Sequence, residues 1–101
     1  MTESFENGAV DLTLPPILDL VAAANLLGAF HDRRGHALQV NGAGVQRLGA
    51  QCLQVLLAAR AAWAADDQPL RIENFSEEFS AALELMGVTP QALTYSKELA
   101  S

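Results

Sequence analysis

The apolar positions of this chain change period several times, and each change marks an element. Between Ala9 and Leu14 (AVDLTL), Val10, Leu12 and Leu14 alternate with Asp11 and Thr13, which predicts a short half-buried strand. Pro15-Pro16 ends it, since neither residue can donate to a sheet ladder. Asp19 then stands at a helix start ahead of LVAAANLLGAFHDRR. Leu20, Ala23, Ala24, Leu27 and His31 fall at helical spacing, flanked by Leu26 and Phe30. Gly28 costs such a helix about 1 kcal/mol against alanine unless another backbone packs closely there. Arg33 and Arg34 suit the negative end of the helix dipole, and Gly35 is a natural C-terminal cap.

A second strand is predicted from Ala37 to Asn41, and a second helix from near Gly49 to about Ala65. Asp66-Asp67-Gln68-Pro69 stops that helix, and Leu70 to Glu73 reads as a third strand. Ser76 is a good N-cap for a third helix, with Glu77 and Glu78 in the first turn where negative charge is favoured. Phe79, Ala82, Leu83 and Met86 form its apolar stripe, and Gly87 ends it with Pro90 just beyond. The segment from Val88 to Ser101 reads as a short turn with an added edge segment near Leu93 to Tyr95. The order is β-α-β-α-β-α, which calls for an α/β domain with a mixed, mostly parallel sheet and right-handed crossovers. With three short strands the helices cover only one face well. Residues 1–8 read as a loose tail and residues 9–101 as one domain.

Composition narrows the function more than the fold. Half of the 101 residues are hydrophobic and 18% are charged, enough to bury a core. Twelve acidic residues against six Lys and Arg give a net charge of −6. That balance argues against binding to nucleic acid or to an anionic membrane surface, both of which draw on clustered basic residues. One cysteine cannot form an internal disulfide and fits a reducing compartment. The acidic start MTESFENG is unlike a secretory signal, and no apolar run approaches the ~20 residues of a membrane span. A cytoplasmic protein is expected.

Few residues suggest chemistry. Gly42, Gly44 and Gly49 lie between a strand and a helix, with Glu73 ending the next strand, an arrangement that invites comparison with a dinucleotide-binding loop. The spacing is wrong, with four residues instead of two between the second and third glycine, and no Lys-Ser/Thr pair makes it a P-loop. Cys52 falls in the first turn of helix two, where a dipole can activate a thiol, but a buried small residue is the commoner meaning of a lone cysteine. His31 and His36 lack the spacing of a metal site, and Asp66, Asp67, Glu77 and Glu78 are explained by solvation and capping. No cofactor is expected. On helix two, Leu53, Leu56, Leu57, Ala59 or Arg60, and Trp63 account for a core stripe. Gln51, Gln54, Ala58, Ala61, Ala62 and Ala65 are left as a flat, uncharged surface against which another protein could pack.

Two stretches carry a family resemblance: LQVNGAGVQRLGAQCLQVLLAAR, from Leu38 to Arg60, and PLRIENFSEEFSAALELMGV, from Pro69 to Val88. In element order and in these segments the chain, roughly from Val10 to Gly87, resembles the STAS domain (sulphate transporter and anti-sigma factor antagonist). The glutamine-cysteine variant of the core is similar to that of small STAS proteins associated with bacterial chemotaxis gene clusters. The resemblance implies a non-enzymatic module that docks on a signalling protein, an anti-sigma-type kinase fold, or the ATPase of a lipid transporter. Carried over by position, the docking edge comprises Asn41, Gly44, Arg47, Gly49, Ala50, Gln51 and Gln54. In the family, a strand-end Asp and an Asp-Ser pair at the helix start form a phosphorylatable switch. Here Asn41, Gly49 and Ala50 replace them, so the phosphate acceptor is missing. The expectation is bacterial signalling, in chemotaxis, through an edge that phosphorylation cannot switch. The alternative is an accessory STAS subunit of an ABC-type lipid transporter.

Overall fold

The computed structural model describes residues 10–96. Three strands, β1 (Val10–Thr13), β3 (Leu38–Asn41) and β5 (Leu70–Glu73), form a parallel sheet in the order β1-β3-β5. Two shorter ones, β2 (Ile17–Leu18) and β4 (Arg47–Leu48), pair in parallel as a separate ladder. Three helices, α1 (Leu20–His31), α2 (Ala50–Ala65) and α3 (Glu77–Leu85), complete the mixed α/β layout, followed by a 3-10 turn at Pro90–Leu93. The residues expected to form the N-terminal tail, 1–8, lie outside the described residues.

Sheet order explains the layering. Both crossovers, β1 to β3 and β3 to β5, step in the same direction, so right-handed connections put α1 and α2 on one face. The two helices do touch: the Phe30 ring meets Trp63 edge to face, with centroids 5.9 Å apart. Trp63 is fully buried, and its indole Nε1–H donates to the backbone oxygen of His36 at 2.7 Å. Beneath the helices the register aligns Val10, Leu38 and Leu70 in one row and Leu12, Val40 and Ile72 in the next. The intervening rows, Asp11-Gln39-Arg71 and Thr13-Asn41-Glu73, make the other face polar, and none of these six is buried. Gln39 Nε2 donates to Glu73 Oε1 across that face at 2.9 Å. The expectation of one well-covered face agrees with this alternation.

The ends of the elements follow their sequence signals closely. The Asp19 carboxylate accepts from Ala22 N at 3.0 Å and caps α1. After α1, the Arg33 guanidinium donates to the carbonyls of Ala29 and Asp11, while Gly35 takes a left-handed φ of 88°. Arg34 grips Asp66 through both carboxylate oxygens, at 2.8 and 3.1 Å, and ties the ends of α1 and α2 together. That hydrogen bond holds the Asp66 carboxyl below the usual carboxylate range. The predicted edge segment near Tyr95 exists as an antiparallel bridge, with Tyr95 and Leu70 exchanging both backbone hydrogen bonds at 2.8 Å.

Several expectations need correction. On α1 the stripe of Leu20, Ala24, Leu27 and His31 is exposed, and the buried residues are Leu26 and Phe30, backed by half-buried Ala22 and Ala23. The run LVAAANLLGAF is apolar on nearly every side, so the direction of the sheet, and not the periodicity, decides which face turns inward. Among the described residues Gly28 has no neighbour within 4 Å of where a Cβ would stand, so no close backbone approach from them explains it. On α2, Cys52 takes the core place expected for Leu57, which is 38% exposed. Met86 lies past the end of α3 and is likewise exposed. Finally, β2 and β4 were not foreseen, because a two-residue strand is too short to show a period.

Candidate functional site

The residues proposed from the sequence as a docking edge occupy the end of β3, the turn after it, strand β4 and the first two turns of α2. Asn41 ends β3 and is half-buried; its side-chain oxygen accepts from Ala43 N at 2.9 Å, so it shapes the turn. Gly42 is buried below that turn and donates its N–H to Glu73 O at 2.9 Å. A Cβ on Gly42 would sit 2.8 Å from two ring carbons of Phe79. Here a glycine is required for packing, a role that the spacing argument from sequence missed. Gly44 is exposed, with open space around it. Val45, by contrast, is fully buried and anchors the turn.

Strand β4 then carries the chain to the helix. Pro16 O accepts from both Gln46 N, at 2.7 Å, and Arg47 N, at 3.1 Å, while Gly49 N donates to Leu18 O at 2.8 Å. These bonds fasten the start of α2 to the segment that leads into α1. Arg47 is exposed, and its guanidinium makes no hydrogen bond or ion pair among the described residues. Gly49 is the half-buried N-cap, with an extended backbone and no side-chain hydrogen bond to the helix. Ala50, Gln51 and Gln54 are exposed. The structure therefore brings all seven residues into one continuous segment, with Gly44, Arg47, Ala50, Gln51 and Gln54 on its outside.

What this corner can do chemically is limited. The first turn of α2 contains no acidic residue, and Ala50 offers no oxygen for phosphate transfer. The Ser76 hydroxyl, which reaches the turn before β4, is already committed: Ser76 Oγ accepts from Phe79 N at 2.9 Å and donates to Val45 O at 2.6 Å. Cys52 is buried, with its Sγ 3.3 Å from the carbonyl of Asp19. Burial, and then the Asp19 charge, push its thiol pKa up, away from the thiolate that nucleophilic chemistry needs. Among the described residues no cluster of three or more His, Cys, Asp or Glu could hold a metal ion. No helix among them is long and apolar enough to cross a membrane.

Elsewhere, a groove of about 540 Å³ runs between β1 and α1, lined by Leu12, Pro15, Ile17, Val21 and Leu26 among others. No pattern along the chain signals it, since it depends on where α1 lies over the edge strand. The outward side of α2 is as flat as expected, with Gln51, Gln54, Ala58, Ala61 and Ala65 exposed, although Ala62 is half-buried.

A parallel three-stranded sheet with two helices on one face, and a bare helix start beside a glycine turn, describes a small α/β domain. The family described as "Mlab, STAS domain" matches residues 1–94, and the chain belongs to the STAS domain family. STAS domains are generally non-enzymatic modules that interact with proteins. Searches of curated proteins and of solved structures found no match.

Proposed function

We propose that this chain is a non-enzymatic interaction module of bacterial signalling that docks through the corner formed by Asn41, Gly44, Arg47, Gly49, Ala50, Gln51 and Gln54. The observation that carries the reading is the bare, exposed start of α2, where Gly49 and Ala50 leave the first turn without a side-chain cap or a charge. Such an end offers unshielded backbone N–H groups and a smooth surface to a partner. Arg47, which has no ion pair among the described residues, supplies this corner with a cation for orientation. Because Ala50 has no hydroxyl, release from the partner depends on changes in the partner and not on phosphorylation of this corner.

The similarity of the glutamine-cysteine core, Gln51-Cys52, to small STAS proteins of chemotaxis gene clusters supports a partner from a chemotaxis assembly. Affinity capture from the native host, with wild type and Ala50→Glu side by side, tests both levels of the reading. A chemotaxis kinase, receptor or scaffold recovered by wild type and lost with Ala50→Glu is the expected result. Recovery of a transporter ATPase in its place would keep the corner but replace the partner. Equal recovery by the two proteins, with the variant folded, would remove the corner from the interface.

A further inference from the structure

We infer that Ser76, at the start of α3, is a positioning residue for the docking corner: its hydroxyl fixes the turn 42–45 and so sets how Gly44 is presented to a partner. The inference rests on the docking reading above and deepens it, by naming what holds one half of that corner in shape.

The corner has two separate supports. The half nearer α2 hangs on the β2 segment, where the Pro16 carbonyl holds Gln46 and Arg47 and the Leu18 carbonyl holds Gly49. The turn that precedes it is held from α3. Gly42 N donates to Glu73 O at 2.9 Å, Ser76 N donates to Gly42 O at 3.3 Å, and Ser76 Oγ donates to Val45 O at 2.6 Å. Phe79 adds its ring against Gly42, and α3 also packs on β4, the strand that carries Arg47. Two of the three hydrogen bonds join backbone to backbone and survive any residue but proline at 76. The Ser76 hydroxyl is the side-chain link, and it acts at the end of the turn that passes into β4. The same oxygen accepts from Phe79 N at 2.9 Å, so one hydroxyl caps α3 with a lone pair and holds the turn with its hydrogen. Gly44, between these fixed points, has open space where a Cβ would stand, so its place follows from the residues on either side. A loop already held in its bound shape costs a partner less ordering.

Two substitutions separate positioning from folding. Ser76→Thr keeps the hydroxyl and both of its bonds. Ser76→Asp keeps the cap on Phe79 N, since aspartate caps as well as serine, but it offers Val45 O no hydrogen and sets a carboxylate against that carbonyl. In amide hydrogen exchange of the full chain, Ser76→Asp should lower protection at Ala43 and Val45 by about fivefold. Leu53, bonded in the first turns of α2, and Ser80, bonded in α3, should keep theirs, and Ser76→Thr should match wild type at all four. Unchanged protection at Ala43 and Val45, an equal loss in both variants, or a loss that spreads to Leu53 and Ser80 would overturn the inference. Affinity capture with the same variants reads the consequence: the protein recovered by wild type should be recovered equally by Ser76→Thr and about fivefold less by Ser76→Asp. Full recovery by Ser76→Asp where Ala50→Glu has lost the partner overturns the positioning role alone. Full recovery by Ala50→Glu removes the docking corner, and this role with it.

Discussion

Two helices of this molecule begin on either side of one turn, and they begin in opposite ways. At α3 every local device is in use: Ser76 caps the helix, its hydroxyl also holds Val45 O, and Glu77 and Glu78 sit in the first turn. At α2 none is present; Gly49 provides no side-chain cap, the first turn has no acid, and Ala50 stands exposed. The longer helix does not need them. It is held by Cys52, Leu53, Leu56, Ala59 and Trp63 in the core and by the Gly49 N–H bond to Leu18. A helix of 9 residues depends on its caps far more than one of 16 that buries five side chains. The contrast teaches that the bare end is left free for the proposed docking because the fold does not rely on it.

Four substitutions sharpen or break that contrast, each readable by denaturant unfolding. Gly42→Ala should have the largest effect, destabilising by about 1–3 kcal/mol, because its Cβ would overlap the buried Phe79 ring that seats α3. Ser76→Ala removes both the cap and the bond to Val45, for a loss of about 1–2 kcal/mol. At the corresponding place on α2, Gly49→Ala should cost only about 0.5–1 kcal/mol, from a poorer N-cap and a Cβ 3.3 Å from Leu18 O. Ala50→Ser, one position further on and exposed, should change stability by less than about 0.5 kcal/mol. A Gly49 or Ala50 effect as large as that of Ser76 would mean that the α2 start is structural after all, and the contrast would fail.

The same comparison shows what could be read in the chain. The N-caps Asp19 and Ser76 bond as their side chains predicted, because capping is settled within three residues. Strand β5 and helix α2 lie where the periodicity put them, give or take one residue. The α1 stripe did not, since an almost wholly apolar helix contains no information about which side meets the sheet. The seven residues of the candidate corner are close in sequence, so their grouping was legible beforehand, as was the burial expected of a lone cysteine at Cys52; the packing of Gly42 against Phe79 was not.

By itself the sequence determined the elements that rest on local rules: alternation in the strands, caps, proline and glycine stops, and the α/β order that follows from them. Only the tertiary structure decided the rest. It chose the inward face of α1, formed the β2-β4 ladder from two dipeptides 30 residues apart, and drew Phe79 over Gly42. The physical reason is range. Hydrogen bonds within a turn depend on neighbours that the chain cannot separate, while burial depends on which distant surface arrives, and that is settled by the packing of the whole domain.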